Sequence, residues 1–355
     1  MNTLWHHLET AGHGNAMKRR GKYLLVIVVI FLLLLLGSLP GEAEELQHEI
    51  KLATLAPENS SLMEIFREMD RELRKETEGR VGFKLYSGFA LGDEQDIFRK
   101  LRFGLIQGAT FTSTFLADIN PDIRALQIPF LFNNYQEVDY VLGKMVGEFN
   151  QSFSKQGYQV LGWSEVGFIH FMSTIPITKV EDLKGKKVWS RAKAPLANAV
   201  FYKAHASPVT IGAPDVLVGL QTNLVEVVYN SPYYALVTQW YTRVKYINDL
   251  PLAYVGGALL VSNKAFSRLS SQDQEITRKV CMEYTRRLTE KTRKDNSEAL
   301  KIILSRGVTS ISHAPGELEK FKKLLDQALL EVDPESLPRD TLQKVRDILK
   351  EYRAR

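Results

Sequence analysis

Tyr229, Tyr233, Tyr234, Trp240 and Tyr241 form a dense aromatic group. Rings bury large areas at low entropy cost. Such a group suits a cleft that reads planar or apolar solutes without making bonds. Upstream, Trp189 and Arg191 stand two residues apart in a short apolar run. Residues two apart on a strand share a face, so Arg191 points where Trp189 points if the strand persists that far. The plainer readings are hinge or core packing for the rings and a solvated edge charge for Arg191. Gln239 and Asn248 are weaker polar candidates.

Residues for bond-making chemistry are not spaced to perform it. His6, His7, His13, His48, His170, His205 and His313 make no metal-ligand pattern, and no Gly-x-Ser-x-Gly elbow or phosphate-cradling glycine loop occurs. Glu165 could imitate a catalytic acid, but a hinge hydrogen bond is its plainer role. The chain is therefore expected to be no enzyme, a periplasmic hydrolase being the remote alternative, and to use neither cofactor nor metal.

The elements that must position these residues begin behind an export signal. Lys18, Arg19, Arg20 and Lys22 precede an unbroken apolar run from Tyr23 to Leu36, followed by Gly41-Glu42-Ala43. Fourteen apolar residues fall short of the roughly 20 that cross a bilayer as a helix, so residues 1–43 are expected to be a signal peptide cleaved after Ala43, with Met17 a possible true start. The alternative is an uncleaved anchor. The remaining 312 residues suit two domains at roughly 150 each. Of the net charge of +5, four basic and two acidic residues lie in the removed segment, which leaves 5 − 4 + 2 = +3. That is too little to argue for nucleic acid. The one cysteine, Cys281, has no internal partner and reads as a small buried hydrophobe.

Alternation and turn residues give a βα rhythm. Ile50 to Leu55 reads as a strand, then Ser61 and Glu64 form a capping box for a helix with Leu62, Ile65, Phe66, Met69 and Leu73 on one face. Val81 to Tyr86 and Ala109 to Thr112 are further strands, with a helix from Asp93 between them, and Leu126 to Phe130, Tyr158 to Trp163 and Phe168 to Ser173 continue the pattern. The rhythm restarts with Lys187 to Trp189, helices near Pro195 to Ala204 and Pro214 to Gln221, and the strand Val225 to Tyr229. From Ser271 to Arg306 one helical pattern runs about 54 Å at 1.5 Å per residue, without a sustained heptad. The fold class is α/β, an open sheet in each of two lobes braced by a long helix. Lobe I is expected over 44–166 plus about 251–285, and lobe II over 167–250 plus about 286–355 with the C-terminal helices.

The run Glu181-Asp182-Leu183-Lys184-Gly185-Lys186-Lys187-Val188-Trp189, the segment Asp215 to Thr222 and Glu226-Val227-Val228-Tyr229-Asn230-Ser231-Pro232 resemble the substrate-binding proteins of TRAP transporters, the DctP type. Leu91-Gly92-Asp93, Gly104-Leu105-Ile106-Gln107, Ile128-Pro129-Phe130-Leu131-Phe132 and Ser262-Asn263-Lys264-Ala265-Phe266 extend the resemblance over nearly all of the mature chain. Each piece is weak alone; their order and spacing are specific. The resemblance implies a periplasmic clamshell that captures a small solute, an organic acid by family habit, and hands it to the small and large TRAP membrane subunits. A sensory protein docking on a receptor and an ABC-type binding protein are the alternatives.

Carried over by position, the cleft contributors fall on Glu58, Asn59 and Ser60, on Thr112 and Ser113, and on Ile169, Trp189, Ala213 and Asn230. Asn230 agrees with the family asparagine that bonds the ligand. Trp189 stands where the family usually has an arginine that grips a carboxylate, Ile169 where many members have a second arginine, and Ala213 where a phenylalanine stacks on the solute. Either another cation, Arg191 first, supplies the missing charge, or the solute is aromatic, amide-bearing or neutral and lies against Trp189. Hinges are expected near Trp163 to Phe168 and Tyr246 to Leu252.

Overall fold

The apolar alternation becomes two sheets that share one strand. A computed structural model describes residues 46–191 and 194–355, and the expected signal peptide, its cleavage after Ala43 and the start at Met17 lie outside the described residues. The first half runs β1 (His48–Ala53), α1 (Ser61–Glu76), β2 (Val81–Tyr86), α2 (Glu94–Arg102), β3 (Gly108–Thr112), α3 (Ser113–Ile119), α4 (Tyr135–Lys155) and β4 (Tyr158–Ser173). Then come β5 (Lys187–Ser190), α5 (Pro195–Lys203), β6 (Ser207–Thr210), α6 (Val216–Gln221), β7 (Val227–Asn230), α7 (Pro232–Val237) and β8 (Tyr246–Asn248). The chain ends with β9 (Ala253–Ser262), α8 (Asn263–Phe266), α9 (Ser271–Ser305), β10 (Thr309–Ile311), α10 (Glu317–Glu331) and α11 (Arg339–Arg353).

The first lobe's sheet has the order β2-β1-β3-β9-β4, parallel across its first three strands and antiparallel across β9. The second lobe's sheet places β7, β5 and β6 on one side of the end of β4 and β8 and β10 on the other. Strand β4 therefore serves both lobes: Tyr158–Ile169 pairs with β9, and His170–Ser173 with β7. The sequence pattern suggests two strands here because bulges at Val160/Gly162 and Glu165/Gly167 interrupt the alternation. Gly167 sits at φ +95°, where a Cβ would meet the Asn296 amide and the Tyr135 hydroxyl within 3 Å.

Other differences from the sequence reading are local. The cap of α1 is Ser60, whose hydroxyl accepts from Met63 N, while Glu64 pairs with Arg67 and Arg71. The stretch near Leu126 is the end of a 3-10 turn, Pro121–Gln127, opened by a proline and by the Asn120 side chain.

Helix α9, 35 residues and about 52 Å long, braces both lobes. Its Val280, Cys281 and Leu288 join the core of β1 and α1, and its Leu300 and Ile303 join the core of the second sheet. Burial pushes the Cys281 thiol far up, so it is an apolar filler. The C-terminal helices are not confined to lobe II. Phe321 of α10 enters the second lobe's core, whereas Leu325, Leu329, and Leu342, Val345 and Leu349 of α11 pack into the first lobe with Val138, Val141 and Met145 of α4. Arg353 fixes that end, its guanidinium donating to Glu137 and to Leu131 O.

Candidate functional site

A cleft of about 380 Å³ lies between the sheets and takes its walls from both lobes. That is the size of a small-molecule site. Its second-lobe wall starts at β5, where Trp189 is 3% exposed and its indole N–H donates to Ile211 O at 3.1 Å. The Trp189 ring lies 5.3 Å from Tyr229 and 5.4 Å, edge-on, from Trp240. Tyr229 continues the wall toward Phe201, 5.8 Å away. Burial pushes the hydroxyls of Tyr229 and Tyr234 up to about 12, so both are neutral donors at any working pH.

The charged groups of the cleft are paired. Arg191 Nη2 lies 2.8 Å from Glu94 Oε2, and the two residues belong to opposite lobes. Glu94 opens α2, where the helix N-terminus favours a carboxylate. It accepts from Thr112 N at 2.6 Å and from the Thr112 hydroxyl at 3.2 Å. Burial pushes the Glu94 carboxyl up, and Arg191 and Thr112 pull against that rise. Arg124 donates to Asp118 at 2.8 Å and to Ser336 O at 2.6 Å. Glu165, at the hinge, is held by Arg293 through two bonds of 3.0 Å and by the Tyr254 hydroxyl at 3.2 Å; its burial also raises it. Among the described residues, every ionisable carboxylate and guanidinium lining the cleft has a partner of opposite charge.

Two neutral amides complete the lining. Asn230 Oδ1 accepts from Ser231 N at 2.8 Å, so its Nδ2 is the donor that remains for a solute. Gln127 Nε2 is buried at the cleft wall without a hydrogen-bond partner. A buried unpaired donor costs about 1–3 kcal/mol, which a bound solute can recover. The sequence reading missed Gln127; its one signal is that it is the polar break in Ala125-Leu126-Gln127-Ile128-Pro129.

Of the residues singled out in the sequence, Thr112, Ile169, Trp189, Arg191, Ala213, Tyr229, Asn230, Tyr233 and Tyr234 line this cleft. Four do not. Ser60 is spent capping α1, and Asn59 beside it is exposed, because the loop turns outward after Pro57 and ties Glu58 to Arg67 and Ser87. The first lobe instead presents Thr54, Leu55, Ala56 and Pro57. Ser113 faces away, accepting from Gly256 N at 3.1 Å. Trp240 backs Trp189 from the core, 1% exposed. Asn248 is also structural, donating to Ile177 O and accepting at its own carbonyl from His170 Nδ1. Glu165 is hydrogen-bonded to Arg293 and Tyr254 where β4 passes between the lobes.

Two α/β lobes that share a strand, braced by one helix and lining a cleft from both sides, define a two-lobed binding-protein clamshell. The family model for DctP, bacterial extracellular solute-binding protein, family 7, matches residues 52–333, and the chain belongs to that family. The 2,3-diketo-L-gulonate-binding periplasmic protein YiaO of Escherichia coli (strain K12) is 27% identical over 206 residues, 57% of this chain and 62% of that protein. The chain thus matches just under two thirds of that relative's length. The sugar acid binding protein DctPAm from Advenella mimigardefordensis strain DPN7T, solved in complex with galactonate, superposes with a TM-score of 0.79 at 20% identity, over 86% of this chain and 98% of that one. A TRAP periplasmic solute binding protein from Xanthobacter autotrophicus Py2, solved with bound beta-D-galacturonate, gives 0.76 at 21% identity, over 84% and 99%.

Proposed function

We propose that this chain is the solute-capturing component of a TRAP transporter, exported by the signal over residues 1–43, and that it closes on a small organic acid and delivers it to the membrane subunits. The observation that carries this reading is the cleft itself, lined by both lobes and crossed, among the described residues, by the ion pair Arg191–Glu94. A solute touching both lobes stabilises the closed form by its differential affinity, and the closed face is what a membrane subunit would recognise. The solved relatives with galactonate and galacturonate, and YiaO with its diketo sugar acid, support an acid as the solute class. Arg191 takes the carboxylate, Asn230 and Gln127 donate to its oxygens, and Trp189 and Tyr229 form the wall behind it.

A thermal-shift screen of the mature chain tests this, with mono- and dicarboxylates, sugar acids, amino acids and neutral aromatics side by side. An acid at about 100 times its dissociation constant adds about 2.7 kcal/mol, worth about 2–4 °C or more in a chain of this size. The shift is expected to be abolished in Asn230→Ala. Stabilisation by neutral solutes alone, or a shift unaltered in that variant, overturns the assignment.

A further inference from the structure

We propose that Glu94 sets the charge class of the solute: the cleft accepts an acid that also carries a cationic or N–H donor nitrogen beside its carboxylate, an amphoteric acid, and disfavours plain mono- and dicarboxylates. This deepens, and rests on, the reading of the cleft as an organic-acid site. Arg191 is the cleft cation whose anionic partner sits on the opposite lobe, so lobe opening separates that pair. Among the described residues, the other charged groups of the wall are tied elsewhere, Arg124 to Asp118 and Ser336 O, Glu165 to Arg293. A solute carboxylate that reaches Arg191 therefore competes with Glu94 for that one cation, which Glu94 meets through Nη2.

Glu94 does not leave when a solute competes. Two bonds from Thr112 hold its carboxylate from its own lobe, and the side chain is 7% exposed. A plain carboxylate at Arg191 would stand beside this second buried carboxylate, and two like charges sharing one cation oppose binding. An amphoteric acid replaces both halves of the pair: its carboxylate satisfies Arg191, and its nitrogen donates to the Glu94 oxygen that Arg191 released. The rest of the wall is suited to the body of such a solute, with the rings of Trp189 and Tyr229 on one side and neutral donors at Asn230 and Gln127.

The test is isothermal titration of the mature wild type and of Glu94→Gln with matched pairs: cyclohexanecarboxylate against pipecolate, phenylacetate against phenylglycine, 3-phenylpropanoate against phenylalanine, with benzamide as the neutral arm. The wild-type comparison needs no variant, so it stands even where Glu94→Gln folds poorly. In the wild type the amino member of at least one pair is expected to bind about tenfold or more tighter than its plain counterpart, and Glu94→Gln to narrow or invert that ratio by raising affinity for the plain acid. Equal binding of both members to the wild type, or a ratio unchanged by Glu94→Gln, overturns the role of Glu94 and leaves organic-acid capture standing. Binding of benzamide alone, or of none of the probes to either protein, overturns both.

Discussion

Two buried glutamates, each paired with an arginine, do opposite work in this molecule. At the hinge, Arg293 of α9 grips Glu165 of β4 with two bonds, reaches Asp139 with two more at 2.8 and 2.5 Å, and lies over the Tyr135 ring at 4.3 Å. At the cleft, Arg191 meets Glu94 through a single guanidinium nitrogen. Both carboxyls are raised by burial. The difference lies in what surrounds them. The hinge pair joins elements that pack continuously along one side of the molecule, and Asn296 one turn further on ties Val166 O to Tyr233 N across the same junction. The cleft pair joins two lobes with solute space between them. A pair with many fixed partners is a structural joint, and a pair with one partner across a gap is an exchangeable contact.

The largest effect that follows is at the joint. Arg293→Met strands Glu165, whose side chain is 1% exposed, and loosens Asp139. Removing one partner of a buried pair costs about 3–5 kcal/mol, and that loss is expected in urea unfolding of the mature chain. A loss below about 1 kcal/mol would mean that the hinge pair is no more of a joint than the cleft pair.

How much of this contrast was legible in the sequence follows from the range of the interactions. Strands β1, β2, β3, β5 and β7 and the long helix are written in local periodicity and caps, so they could be read directly, whereas β6, β8, β9 and β10 were not assigned from the sequence. The bulges of β4 could not be read, since an extra residue erases alternation at the place where one strand changes lobes. The packing of α11 on the first lobe was not legible, because an apolar stripe such as Leu342, Val345 and Leu349 states that a helix packs and not against what. Within the cleft, family position brought Trp189, Ile169 and Asn230 to the wall, but Asn59 and Ser60 depended on where a loop turns. Glu94 and Gln127 were invisible for the same reason: the first reads as an ordinary first-turn acid of α2, and the second as one polar residue at the end of a turn.

A smaller effect sharpens the comparison at the cleft. Arg191→Met also removes one partner of a buried glutamate, but Glu94 keeps both Thr112 bonds and faces space that water enters when the lobes part. The expected loss of ligand-free stability is about 1–2 kcal/mol, below that of Arg293→Met, while acid binding is abolished. Losses of equal size in the two variants would break the distinction between joint and contact.

The smallest effect concerns pH, at the residue where β4 passes from one sheet to the other. His170 is buried opposite Asn230 in the β4–β7 ladder, with Nδ1 2.8 Å from Asn248 O. Burial lowers its pKa below the ordinary 6.5, against smaller opposing pulls from that carbonyl and from Asp249. The folded chain therefore keeps His170 neutral at a pH where the unfolded chain has protonated it. Its stability is fully present above about 6.5 and is lost as pH falls from there through the lowered folded value. His313 has the same sign, whereas the raised Glu94 and Glu165 gain stability as pH falls toward 4.5, so the net slope of the wild type is a mixture. The difference between wild type and His170→Gln removes that mixture. Urea unfolding at pH 7.5, 6.5 and 5.5 is expected to show the wild type losing about 1 kcal/mol or less relative to the variant between 6.5 and 5.5, and nothing between 7.5 and 6.5 beyond the tail of the titration. Parallel profiles would mean that His170 takes up its proton in place, and that the strand joining the lobes tolerates a charge where the hinge and the cleft each pair theirs.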